Sequence, residues 1–321
     1  MNVNMVSALN NALELSMRAD DKIVLLGEDI AKDGGVFRVT DGLLDKFGDK
    51  RVLDTPLAES SIIGTSIGMA ISGLRPVPEI QFAGFMLLGF SQLLNHAARF
   101  RSRTRSTMNV PMVVRTPVSG GVKTLEHHSD SPEAYYSHIG GLIVVEPSNP
   151  YDAKGLMMKA LKMQDPVIFL EPTKLYRLFK QEIPEGAYEV PIGKANYLKK
   201  GDNLTIITYG TMVPVVNSVV EKKNLSADVI DLRTINPIDE ATIIESAKKT
   251  GKVLIVHEAS LSFGVGAEIA ARIAEKAMFE LSAPIMRVGS ASLPYPMPGY
   301  EKYYIPNERK VSDAIDKLLS V

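Results

Sequence analysis

The chain has no cysteine among its 321 residues. That excludes disulfides, thiolate zinc sites, iron–sulfur clusters and cysteine nucleophiles together. An excess of either charge is missing too: 36 Lys and Arg stand against 37 Asp and Glu, a net charge of −1. No electrostatic case for a nucleic-acid partner remains. Gly, Ser, Lys or Arg interrupts every apolar run before it reaches membrane-spanning length, so no membrane partner is expected. The phosphate-cradling pattern GxxxxGK followed by Ser or Thr does not occur. The opening MNVNMVSALNNALELSMRADDK lacks the basic start and compact apolar core of a signal peptide, and a cytoplasmic location is expected.

What is present is 45% hydrophobic residues in a chain long enough for two domains. Val6, Leu9, Leu13 and Met17 recur at helical spacing. Short β-rich runs follow at 23–26, 77–82, 112–116, 142–145 and 167–171, with helical patterns at 59–72, 85–101 and 150–162. Gly73 sits where a helix would stop, and Asn149-Pro150 reads as an N-cap with proline in the first turn. This alternation predicts an α/β fold with mostly parallel sheets flanked by helices. Residues 172–202 break the rhythm with prolines, glycines and scattered charge. Strand runs then resume at 204–210, 228–234, 253–258 and 284–288, with helices at 211–222, 238–249, 264–281 and 308–319. The expected division is a first domain over 1–185, a linker over 186–203 and a second domain over 204–321.

Few residues offer chemistry. Two of the five histidines, His127 and His128, are adjacent in GGVKTLEHHSDSPEAYY (120–136). A loop after a parallel strand is where α/β proteins place their sites, although two solvated histidines would look the same. Gly264-Val-Gly266 lacks the third glycine of a dinucleotide turn and reads as a tight turn onto a helix. Arg99, Arg101, Arg103 and Arg105 read as a solvated face or as ion pairs. Glu59 opens a helix in DTPLAESS (54–61), where a lone carboxylate is ordinarily a cap. Glu28, Asp29, Glu79 and Gln81 lie near strand ends of the same domain and could share a crevice with it.

GEDIAKDGGVFRVTDGL (27–43), RVLDTPLAESSIIG (51–64), GLRPVPEIQFAGF (73–85), HHSDSPEAYYSHIGGLIVVEPSNPYDAKGL (127–156), FLEPTKLYR (169–177) and DLRTINPID (231–239) occur in order. Together they closely resemble the beta chain of thiamine-diphosphate-dependent 2-oxo acid dehydrogenases. The resemblance implies a pyrimidine-binding domain followed by a transketolase C-terminal-like domain. It implies that Glu59, in the TPxxE pattern, bonds the aminopyrimidine ring nitrogen and so promotes loss of the thiazolium C2 proton. Leu57 and Gln81 would line the pyrimidine pocket, and Phe85 would lie against the ring. His128, in the HSxSPE pattern, would stabilise decarboxylation intermediates and supply a proton during acyl transfer to a lipoyl group. A potassium ion would fall on Met112, Ala160, Leu161, Met163 and Asp165, mostly through carbonyl oxygens; Met163 replaces a commoner acidic residue.

No GDG motif, the magnesium signature of the wider thiamine family, occurs in the chain. Half a site is therefore expected, with magnesium and the diphosphate held by an alpha chain in an alpha-2-beta-2 heterotetramer. A dihydrolipoyl acyltransferase would supply the lipoyl and subunit-binding domains. A whole transketolase-like enzyme is opposed by the missing motif and the short chain. A ferredoxin-linked oxidoreductase subunit is opposed by the lack of cysteine, and a silent scaffold by the presence of Glu59 and His128. For substrate, EPTKLYR and HHSDSPEA lean toward branched-chain acids, while QEIPEGAYEVPIGKA (181–195) leans toward pyruvate. The balance favours branched-chain acids slightly.

Overall fold

The structure is a computed structural model describing residues 1–321. It begins with the helix Met5–Ala19, whose N-cap Asn4 accepts a hydrogen bond from Ser7 N–H at 3.0 Å. The spacing of Val6, Leu9, Leu13 and Met17 puts all four into one buried stripe. That stripe packs with the helix Pro150–Ala160 in a single apolar cluster. The second helix starts as its sequence predicts: Asn149 caps it by accepting from Asp152 N–H at 2.9 Å, with Pro150 in the first turn.

Seven strands form the first sheet, in the spatial order Thr234–Asn236, Ile143–Val145, Val167–Pro172, Val113–Val118, Arg75–Glu79, Ile23–Gly27 and Val52–Asp54. All pairs are parallel except Thr234–Asn236 with Ile143–Val145. Central strands are buried along their whole length, as continuous apolar runs require when helices cover both faces. The helix Glu59–Ile71 covers one face and ends at Ser72, followed by Gly73 at φ +97°. The stretch read as one helix over 85–101 is broken into a tight turn at Phe85–Gly89, a wide turn at Gln92–Ala97 and a short helix at Phe100–Arg103.

The second sheet runs Met286–Ser290, Val253–Ser260, Leu204–Thr208, Ala227–Asp231 and Asn196–Lys199. Its last strand is antiparallel and belongs to the stretch expected to be linker. The run 228–234, read as one strand, divides between the two sheets. Ala227–Asp231 stays in the second sheet and Thr234–Asn236 crosses to the first. Arg233 is the turning point, with φ +57°. Its guanidinium bonds Asp152 at 2.9 Å and the carbonyls of Lys194 and Ala195, while its N–H donates to Asp231 Oδ1 at 3.1 Å. One apolar cluster runs through both domains, joining Ile62, Val114 and Ile168 to Ile207, Ile230 and Ile255. No helix is long and apolar enough to cross a membrane.

Candidate active site

The C-terminal ends of Ile23–Gly27 and Arg75–Glu79 bring two acidic stretches together. Glu28 follows the first strand and is 3% exposed, and its Oε1 is buried without a hydrogen-bond partner. Burial, then the charges of Glu59 and Asp29, raise its pKa from 4.5 to about 6. Asp29 accepts from Gln81 Nε2 at 3.1 Å. Glu59 stands in the first turn of its helix, 8% exposed, and the N-cap Ala58 offers no side chain to the free N–H groups. Leu57, in the extended segment just before, is 83% exposed.

Phe85 is placed by a close approach. A Cβ on Gly89 would lie 2.9 Å from Ile63 Cγ1 and 3.3 Å from the Glu59 carbonyl oxygen, so glycine lets this turn seat on the Glu59 helix. Gly84 does the same on the other side, where a Cβ would lie 2.4 Å from the His127 carbonyl oxygen. The histidine loop therefore lies against Phe82 and Phe85. Ring centroids are 4.1 Å apart for Phe82–His128, 5.6 Å for Phe85–His128 and 5.5 Å for Phe85–His127. The two contacts of His128 are edge-to-face, which fixes the orientation of its ring. His128 Nδ1 is buried with no partner. Burial, followed by the neighbouring His127, lowers its pKa from 6.5, which leaves the imidazole mainly neutral at pH 7.

Glu79 does not join this group. Its carboxylate accepts from Arg115 Nη1 at 2.6 Å. Arg115 also bonds both oxygens of Glu171, at 2.7 and 2.9 Å, and Tyr176 O–H donates to Glu171 at 2.7 Å. This network knits three strand ends together beneath the site. The EPTKLYR motif supplies Glu171 and Tyr176, along with Thr173, which bonds the Val118 carbonyl at 3.0 Å, and Arg177, which bonds the Phe37 carbonyl at 2.8 Å. Its polar residues hold the scaffold. The leaning toward branched-chain acids drew on this motif.

Arg101 pairs with Asp165 at 2.5 Å, as one reading of the arginine run expects. Gly264 and Gly266 pack on the buried ring of His257; a Cβ on Gly266 would lie 2.4 Å from its Nε2. The oxygens expected around potassium are of the kind a hard cation takes. Met112 and Ala160 each give one carbonyl lone pair to a backbone N–H, of Val167 and Met163 respectively. Leu161 and Met163 present their carbonyls to Arg75 Nη1 at 3.1 and 3.0 Å. Guanidinium groups thus already bring positive charge to three of the five, Arg75 to these two carbonyls and Arg101 to Asp165. Two cavities, of about 400 and 810 Å³, lie along the interdomain seam at His138, Phe263 and Gly264, with neither Glu59 nor His128 in their walls.

Two family profiles match the chain: "Transketolase, pyrimidine binding domain" over residues 1–178 and "Transketolase, C-terminal domain" over residues 193–311. Among curated relatives, the pyruvate dehydrogenase E1 component subunit beta of Acholeplasma laidlawii is 47% identical over 98% of both chains. The protein of the same name from Mycoplasma genitalium is 48% identical over 99% of this chain and 98% of its own. That of Staphylococcus aureus is 45% identical over 98% and 97%. Among solved structures, an inactive beta4 tetramer of a split-gene transketolase superposes with a TM-score of 0.80 at 21% identity, covering 100% of this chain and 99% of that one; this likeness concerns the fold alone. These relatives are named for pyruvate, against the branched-chain leaning of the sequence motifs. The chain belongs to the beta chains of the thiamine-diphosphate-dependent 2-oxo acid dehydrogenases.

Proposed function

We propose that the chain is the beta subunit of a pyruvate dehydrogenase first component. With an alpha chain in an alpha-2-beta-2 heterotetramer, it decarboxylates pyruvate and passes the acetyl group to lipoyl groups of a dihydrolipoyl acyltransferase. The observation that carries this reading is the packing of Gln81, Phe85, His128 and the Glu59 helix around one strand-end region. Thiamine diphosphate fits what is left open there: unpartnered buried atoms of Glu28 and His128, an aromatic face at Phe85 and the uncovered Leu57. When bound, it supplies the carbon nucleophile and electron sink of the decarboxylation.

This chain's own residues bind, orient and move protons. Glu59 would hold the cofactor by a hydrogen bond to its pyrimidine ring nitrogen. Leu57, Gln81 and Phe85 shape that pocket and exclude water from it. Neutral His128 accepts and returns a proton at the substrate side, a role suited to a group titrating near or below neutrality. Magnesium and the diphosphate belong to the alpha chain in this reading, and the second domain docks the acyltransferase's subunit-binding domain. The test is co-purification with the alpha chain and assay of acyl transfer to a lipoyl domain. Pyruvate should turn over faster than branched-chain 2-oxo acids, and the beta chain alone should be inactive. Faster turnover of a branched-chain acid would refute the substrate assignment, and full activity without an alpha chain would refute the shared site.

A further inference from the structure

The loop that bears the histidines, residues 119–130, is closed at its base by Ser119 N–H donating to the Asp130 carbonyl at 2.8 Å. Beyond that base, its side-chain bonds are local to its far limb: Thr124 with Ser129 at 2.8 Å, and Ser129 to the Leu125 carbonyl at 3.1 Å. The near limb is held from the other domain. Gly120 N–H donates to Glu258 Oε1 at 2.6 Å. Gly121 N–H donates to Glu301 Oε1 at 2.8 Å, and Lys123 N–H reaches the same oxygen at 3.4 Å.

Both carboxylates are themselves fixed. The second oxygen of Glu258 accepts from Thr211 Oγ1 at 2.5 Å, and Tyr295 O–H donates to Glu301. Each residue is 6% exposed. Hydrogen bonds from backbone N–H to a buried carboxylate are the stronger, charge-assisted kind. The paired glycines make the approach possible. A Cβ on Gly120 would lie 1.8 Å from the Tyr295 hydroxyl oxygen, and one on Gly121, at φ +87°, would lie 2.8 Å from Lys174 Cδ.

We propose that Glu258 and Glu301 are positioning residues for His128: from the second domain they clamp the glycine limb of its loop and so set the imidazole against Phe82 and Phe85. The inference rests on the reading of His128 as the proton-transferring group. A domain that supplies none of the proposed catalytic residues thereby governs a group in the other domain. Gln keeps an acceptor oxygen where Ala removes it, so Gln should preserve the clamp's geometry where Ala cannot.

The test uses the complex reconstituted with its alpha chain. Amide hydrogen exchange is followed over residues 119–130 in Glu258→Ala, Glu301→Ala and Glu301→Gln, beside kcat and KM for acylation of a lipoyl domain. Glu301→Ala should speed exchange at Gly121 and Lys123 by about tenfold to a hundredfold, the range for losing a bond to a charged group. Exchange in the strand Val253–Ser260 should stay unchanged. Acyl-transfer kcat should fall about tenfold, with KM for the 2-oxo acid unchanged, and Glu301→Gln should recover most of both losses. If Glu258→Ala does not fold, Glu301→Ala and its Gln rescue carry the test alone. Unaltered exchange over 119–130 would overturn the clamp; faster exchange with unaltered acyl transfer would overturn the positioning role. His128→Ala, assayed in parallel, keeps the two readings apart. Full activity in that variant refutes the role of His128, while the exchange data judge the clamp independently.

Discussion

Glu28→Gln should stabilise the isolated chain at pH 8 and leave it unchanged at pH 4. The reasoning starts from a carboxyl group 3% exposed, with one oxygen lacking any partner and two further carboxylates nearby. Its folded pKa of about 6 lies above the ordinary 4.5, so the folded state binds the proton more tightly than the unfolded chain does. Below pH 4.5 the group is neutral in both states and affects neither. Between about 4.5 and 6 the unfolded chain ionises first, and stability falls as pH rises. Above that window the folded state carries a fully ionised, poorly solvated carboxylate. At 1.36 kcal/mol per pKa unit, the gap is worth about 2 kcal/mol. Glutamine keeps the shape and never ionises, so it escapes this cost. The assay is reversible urea unfolding of both proteins at several pH values from 4 to 8. Other buried acids, such as Glu133 and Asp231, with pKa values raised by burial to about 7, cancel in the difference between the two proteins. The stability difference should move by about 2 kcal/mol toward the variant across the series. Parallel curves, with a constant difference from pH 4 to 8, would refute the assignment of a strained buried carboxylate at Glu28.

Arg115→Met strands two buried carboxylates, Glu79 and Glu171, and should destabilise the chain by about 3–5 kcal/mol in urea unfolding. That loss should shrink at acid pH as the stranded groups protonate, and a pH-independent loss would mean that packing alone is responsible. Glu59→Gln should slow cofactor C2 proton exchange in the reconstituted enzyme by roughly 100- to 10,000-fold. His128→Ala should instead depress single-turnover acylation of a lipoyl domain over the same range; equal exchange rates in Glu59→Gln and wild type would return Glu59 to the status of a helix-end charge. Arg75→Met vacates the Leu161 and Met163 carbonyls and should make the Tm rise with added potassium more than it does in the wild-type protein. An identical potassium response in the two proteins would take the ion away from these carbonyls.

Local chemistry was strong enough to be read directly in several places. Apolar spacing placed the Met5–Ala19 stripe, and Asn149-Pro150 marked the start of its helix because capping is decided within four residues. The motif residues Gln81, Phe85 and His128 could be named from order alone, and the structure brings Phe85 and His128 to 5.6 Å. Asp29, Gln81 and Glu28 share the crevice that their strand-end positions suggested, whereas Glu79 turned out to be committed to Arg115. Nothing in the run PEIQF distinguishes the two fates. The strand ends at Glu79, so no strand periodicity carries on to Gln81, and only the neighbouring strand shows that Arg115 lies within reach of Glu79. EPTKLYR is hard to read for a related reason: its polar residues look functional in one dimension and prove to be bonded to one another, to Arg115 and to backbone carbonyls.

By itself, the sequence determined the alternating α/β pattern, the family and the ends of several helices, because each depends on local periodicity, capping or an ordered motif. Tertiary structure alone decided how distant segments share their groups. Arg233 redirects one apolar run into two sheets by reaching Asp152, 81 residues earlier in the chain. Glu258 and Glu301 hold Gly120 and Gly121 across sequence separations of 138 and 180 residues. Such bonds leave no periodic trace, since a backbone N–H is the same at every position and a carboxylate's partner is fixed only when the two domains close on a common core.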